Sequence, residues 1–218
     1  MAIDHKPSKK PVVYRLRVSL SGVSSEIWRE ILVPANANMG WLHAVIQVAM
    51  GWTNSHLHQF PFGRETITDP DFELDDVEGS PRVLDENIMT LREVAPRNDI
   101  VIGYEYDFGD SWHHNILVQA ILDPDAAVTT KARCIAGARA CPPDDCGGVG
   151  GYADFLEAMS NRKHPEHKAM KEWLGRPFDS EAFDIKNINQ HLHKLPWPRV
   201  SPQALARVLI SRDGDQAQ

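Results

Sequence analysis

From Val12 to Leu20 the chain alternates. Val12, Tyr14, Leu16, Val18 and Leu20 fall on one side, and Arg15, Arg17 and Ser19 on the other. A period of two with one apolar face predicts a half-buried strand. A turn at 22–25 leads to a second run, Ile27 to Val33, expected to pair antiparallel with the first. The period then lengthens: Leu42, Val45, Ile46 and Ala49 follow helical spacing. Asn38 is placed to cap that helix, which runs to about Met50, and Gly51 stands where a C-terminal glycine belongs. Leu57 to Phe62 reads as a short strand. Residues 63–99 are broken by Pro70, Gly79, Pro81 and Pro96, and read as loop with one helical turn near Leu91.

Ile100–Tyr106 and Ser111–Leu122 form the clearest strand pair. They are joined through Asp107-Phe108-Gly109-Asp110 as a β-hairpin. A two-residue loop at Phe108-Gly109 would set Asp107 opposite Asp110 and Tyr104 opposite His113, and would ask Gly109 for a positive φ. Arg133–Ala136 adds a short strand, and a Gly/Pro-rich segment follows from Cys141 to Gly151. Helices are expected over Tyr152–Ser160, over Pro165–Leu174, and along the stripe of Ile185, Ile188, Leu192 and Leu195. The expected fold is α+β: a mainly antiparallel sheet of about five to six strands with helices packed against it, concentrated in the C-terminal third. The expected organisation is a disordered arm over 1–11, one domain over 12–198 and a tail over 199–218.

Composition narrows the function classes. Of 218 residues, 42% are hydrophobic and the formal net charge is −7, ordinary for a globular protein and unfavourable for one that binds nucleic acid over a broad face. A local basic patch stays open. Acidic residues crowd between Asp69 and Glu86, either as a solvated loop or as a rim attracting cations. Three cysteines, no apolar leader at Met1 and no run long enough to span a membrane lead to the expectation of a reduced, cytoplasmic protein.

The chemistry-bearing positions gather near the hairpin. Asp107 and Asp110 either cap its turn or share a cation with His113. His56 and His58, two apart, would share a face in a strand and could add ligands, or serve as ordinary hydrogen-bonding residues. The candidate metal set is therefore Asp107, Asp110, His113, His56 and His58, with a divalent metal as the cofactor. A weaker set is Cys134, Cys141 and Cys146, whose spacing is not that of a zinc ribbon and whose alternative is burial as small hydrophobes. Asp107-Phe108-Gly109 is not a kinase magnesium motif, because no glycine-rich loop or strand lysine accompanies it. Gly147 to Gly151 is not a phosphate-binding Walker loop, because no Gly-Lys-Ser/Thr follows.

Four patterns occur in order: Ile27-Trp28-Arg29 with Val33-Pro34; Gly51-Trp52 with His56-Leu57-His58-Gln59-Phe60; Tyr104 to Trp112 (YEYDFGDSW) with His113-His114; and Cys134 to Gly151 (CIAGARACPPDDCGGVGG) leading into Tyr152. Together they resemble the plasmid pRiA-4b ORF-3-like family, some members of which are labelled TnpR-like passengers of insertion elements. The one departure is Asp144-Asp145, where glutamate then aspartate would be expected. The resemblance spans about Tyr14 to Leu192 and implies an α+β fold and association with bacterial plasmids or mobile elements. It implies no reaction and no catalytic residues. Ser19 is not a recombinase nucleophile, since it lies inside a regular alternating strand without an activating setting. Two function classes follow: a binding or accessory module of plasmid or mobile-element biology, or a metal-dependent, hydrolytic enzyme built on the 107–113 hairpin. Thiol titration of freshly purified, denatured protein should find all three cysteines free; a stable disulfide would overturn the reducing-compartment expectation.

Overall fold

A computed structural model describes residues 12–72, 81–122 and 131–196. The arm expected at 1–11 and the tail expected at 199–218 lie outside the described residues.

The strands are β1 (Val13–Leu20), β2 (Trp28–Pro34), β3 (His58–Phe62), β4 (Glu65–Thr68), β5 (Arg82–Asp85), β6 (Val101–Tyr106), β7 (Trp112–Leu122) and β8 (Arg133–Ala138). The helices are α1 (Met39–Met50), α2 (Leu91–Val94), α3 (Gly148–Ser160), α4 (His167–Leu174) and α5 (Ile185–Lys194). All the strands join one sheet in the order β5-β4-β3-β6-β7-β1-β2-β8.

The expectation of five to six strands is therefore corrected to eight, and the sheet is mixed, because β5 runs parallel to β4. The two strands that patterning missed are short, four residues each, and neither alternates between buried and exposed positions. β4 returns from β3 through Gly63-Arg64, with Phe62 paired to Glu65 and Gly63 at φ 63°. That is a two-residue hairpin needing a residue free to adopt positive φ. β5 is only Arg82-Val83-Leu84-Asp85, and its first two residues are exposed.

One face of the sheet carries the core: Tyr14, Leu16 and Val18 from β1, Tyr104 and Tyr106 from β6, and Trp112, Ile116 and Val118 from β7. α1 lies against that face, with α5 packed on it in turn, and the Trp41 indole N–H donates to the Pro196 carbonyl. α1 is consequently buried nearly all round, as a helix apolar on most faces must be. Its ends are those the sequence indicates. The Asn38 side chain accepts from the Trp41 N–H, and Gly51 adopts φ 98° while its N–H bonds to the Gln47 carbonyl.

α3 begins four residues earlier than Tyr152, inside the glycine-rich segment. A Cβ on Gly148 would sit 2.6 Å from the Asp110 carbonyl oxygen, so glycine there lets the helix start against the β6–β7 turn. Asn38 also donates to the Asn87 carbonyl. Asn38→Ala should lower unfolding stability by about 1–2 kcal/mol, measured from the urea midpoint; an unchanged midpoint would mean that the cap adds nothing to this buried helix.

Candidate metal site

The polar residues of α1 dictate what surrounds it. His43 and Gln47 face the sheet and are buried, so their hydrogen-bonding groups need partners. The His43 Nε2–H donates to Asn54 Oδ1 at 2.6 Å, which leaves Nδ1 to accept from the Tyr104 hydroxyl at 2.8 Å. Tyr104 accepts in turn from the Gln47 amide, and Gln47 Oε1 accepts from the Asn54 backbone N–H. These bonds stitch residue 54 to the helix just after Gly51 and fix the path of the chain toward His56.

Two other segments meet that path. The Trp52 indole N–H donates to the Pro142 carbonyl, and the Thr53 hydroxyl donates to Asp144 Oδ2 at 2.8 Å. Asp144 also receives the Tyr106 hydroxyl at 3.5 Å. On the hairpin side, Asp110 Oδ2 accepts from the Gly147 N–H, and the Asp107 N–H bonds to the Leu57 carbonyl.

The result is a three-residue cluster. His56 Nε2 lies 3.6 Å from Asp107 Oδ2 and 3.3 Å from Asp145 Oδ1. One ligand atom from each residue falls within 4.8 Å of the others, and among the described residues this is the one group of three or more ligand-type side chains so placed. His56 Nε2 is shielded from solvent yet has no hydrogen-bond partner among the described residues. Asp107 and Asp145 both hold positive φ, 60° and 59°. Aspartate tolerates that conformation better than most residues, at some cost in strain.

The hairpin differs from its expected form. Tyr104 pairs with His114, Glu105 with His113 and Tyr106 with Trp112, one residue out of the expected register. Residues 107–111 form the connection, closed by the Ser111 N–H on the Asp107 carbonyl, and positive φ falls on Asp107 and Ser111 and not on Gly109. Asp107 and Asp110 therefore do not oppose each other across strands. Asp107 Oδ1 accepts from the Gly109 and Asp110 N–H groups, which turns Oδ2 toward His56.

The other candidates occupy different settings. His113 is on the exposed face, 3.9 Å from Glu105, while its neighbours Trp112 and His114 point into the core. His58 is buried, bonds Glu86 Oε2 at 2.6 Å and stacks on His43 with ring centroids 3.3 Å apart. Glu86 is thus buried with a partner, unlike a charge in a solvated acidic loop. Cys134 is buried in β8, and burial pushes its thiol up to about 11; burial pushes Cys141 and Cys146 up to about 12. Protonated thiols are poor nucleophiles. Asp145 was not among the sequence candidates, because no spacing rule ties the Pro143-Asp144-Asp145 segment to a turn near residue 107.

Residues 12–187 match the family described as plasmid pRiA4b ORF-3-like protein. The chain belongs to that family. Its relative y4hQ of Sinorhizobium fredii (strain NBRC 101917 / NGR234), an uncharacterized protein, is 35% identical over 192 residues, 86% of this chain and 95% of the relative. A crystal structure of the protein of unknown function MM3350 from Methanosarcina mazei Go1 matches with a TM-score of 0.70 at 32% identity, covering 82% of this chain and 98% of that one. The family match takes in His56, Asp107 and Asp145 alike. No helix among the described residues is long and apolar enough to cross a membrane.

The histidines beneath the site set a pH dependence. Burial lowers the His43 pKa to about 3, with the charge of His58 adding to the effect, and burial lowers His114 to about 3. An unfolded histidine titrates near about 6.5. Their folded values are depressed, so their contribution is complete above about pH 6.5 and is lost as pH falls toward about 3. Each should cost up to about 2 kcal/mol by pH ~5, before most carboxylates titrate. The urea midpoint should hold at neutral pH and fall below about pH 6.5; a flat midpoint across that window would show that these imidazoles are not held neutral.

Proposed function

We propose that the protein is a divalent-metal-binding accessory module of plasmid and mobile-element biology, with His56, Asp107 and Asp145 as ligands. The observation that carries this reading is the His56 ring nitrogen, which sits between two carboxylate oxygens at 3.3 and 3.6 Å without hydrogen-bond geometry to either. Two ligands about 2.1 Å from a tetrahedral ion lie about 3.4 Å apart, so the spacing fits a shared ion. One imidazole and two carboxylates suit zinc or manganese better than a soft ion, which would favour sulfur. The supports around the ligands fit the same purpose. Asp107 is oriented by two backbone N–H groups, and Asp144 beside Asp145 is held by Thr53.

A second reading is a metal-dependent hydrolase. It is favoured by the count of protein ligands: three leave a position open for water, which a metal activates near neutral pH. His113 and His58 would lie outside the metal shell in both readings, and Asp110 would act by holding Gly147.

Titration calorimetry with zinc and manganese on tag-free protein tests the site. Asp145→Asn and His56→Ala should each weaken binding at least about tenfold, the scale on which even supporting residues of a metal site count. Both variants should keep the circular dichroism of the parent. A flat isotherm for the parent would reject the metal and leave an ion triad. Metal-dependent turnover of a phosphate or carboxylate ester, lost in Asp145→Asn, would favour the hydrolase.

A further inference from the structure

Several described arginines along the sheet are paired with carboxylates. Arg15 meets Glu30, Arg17 meets Glu26, Arg82 meets Glu65 and Arg139 meets Glu181. One surface gathers cations that have no such partner. Where α5 runs beside β8, an open groove of about 820 Å³ is lined by Arg133, Lys186, His193 and Lys194, with Asn189 and Gln190 between them and Cys134, Ile135 and Ile185 at its base; among the described residues no carboxylate lines it. Among the described residues no acidic side chain pairs with Arg133, Lys186 or Lys194.

The groove is held in place by its own polar contacts. Asn189 Oδ1 accepts from the Cys134 N–H at 2.9 Å, and its amide donates to the Cys134 carbonyl at 2.8 Å. This two-point bond fastens α5 along β8, the last strand of the sheet. Lys186, Gln190, His193 and Lys194 follow helical spacing on one side of α5, so Lys186 and Lys194 are separated by about 12 Å of helix axis. Arg133 stands opposite them on β8, beside the fastened Cys134. At one end the Lys131 ammonium donates to the His193 carbonyl. The cations thus form a row on two fixed elements.

A row of cations without carboxylate partners along an open groove fits a chain of regularly spaced anions. We propose that the α5–β8 groove binds the sugar–phosphate backbone of a nucleic acid. Charge complementarity selects the partner, and the placement of the exposed apolar side chains argues against a lipid surface. Membrane-surface helices pair their basic face with an apolar one that inserts. Here the large exposed apolar side chains, Leu57, Val83, Val101, Val149 and Trp173, all lie on other elements. Contacts of this kind position a nucleic acid without reading its sequence. The net charge disfavours a broad binding face and leaves room for this local one.

Fluorescence anisotropy with the full chain and labelled duplex and single-stranded oligonucleotides of arbitrary sequence tests the proposal. EDTA in the buffer keeps the result independent of the metal reading. If three cations engage phosphates of the duplex, the log–log salt slope is about −2.7, so a fourfold rise in salt weakens binding about 40-fold. The triple substitution Arg133→Ala, Lys186→Ala, Lys194→Ala should flatten that slope and weaken binding at least tenfold. A control of equal charge loss, Arg82→Ala, Lys163→Ala, Lys168→Ala, should keep both slope and affinity. Absence of binding at low salt would overturn the proposal, as would equal loss in the two triple variants. So would co-sedimentation with phosphatidylserine vesicles, through the same three residues, by a protein that binds neither oligonucleotide.

Discussion

The structure depends on the burial of α1. A helix enclosed on nearly every side must satisfy its polar side chains and its terminal backbone groups without water. Charged groups stand at both ends. The Glu86 carboxylate lies against Gly40 in the first turn, where a Cβ would come within 2.8 Å of its oxygen. At the other end the Arg29 guanidinium, itself buried, donates to the Ala49 carbonyl and also to the Trp28, Ala138 and Arg139 carbonyls. An anion at the N-terminus and a cation at the C-terminus both complement the helix dipole. The same two residues tie α1 to distant strands, Glu86 through His58 on β3 and Arg29 through β8.

That enclosure explains why the candidate site forms where it does. The polar face of α1, His43 and Gln47, is satisfied by Tyr104 and Asn54, and satisfying it draws the chain after Gly51 across the end of the sheet. His56 is carried along. The hairpin turn arrives from β6 and β7, and the Cys141–Cys146 segment is pinned by Trp52 and Thr53. No element of regular structure supplies a ligand of the cluster directly. All three residues lie on connections, held by a rigid scaffold, which is the usual place for binding groups.

The division between what could be read from the sequence and what could not follows the range of the interactions. Asn38 and Gly51 act within one or two turns of helix, and their roles were visible because capping is local. The alternation of β1 marks burial on one face and was visible for the same reason. β4 and β5 carry no such pattern, since they join the sheet through backbone pairing with segments that must first be brought together. The hairpin register failed by one residue because Asp107 takes positive φ and lengthens the turn, where glycine was expected to do so. Asp145 was invisible at any spacing, because its approach to His56 depends on Trp52, Thr53 and the hairpin turn meeting in space. Glu86 was misread for a related reason: its buried partner, His58, lies 28 residues away.

These same contacts bear on the kind of metal site proposed. In small zinc domains the ion supplies the folding energy and its removal unfolds the chain. Here Trp52 to Pro142, Thr53 to Asp144, Asp110 to Gly147 and Asp107 to Leu57 already join the three connections without any ion. Beneath them lies a packed core containing Tyr104, Tyr106 and Trp112. The proposed ion would therefore enter a formed cleft and not create one. Its binding energy would go into holding a ligand or a water molecule and not into folding, which separates a functional metal from a structural one. Two carboxylates brought beside one imidazole repel each other when no cation is shared. A site preformed at that cost, with Asp107 and Asp145 held at positive φ, would have its rationale in the proposed ion.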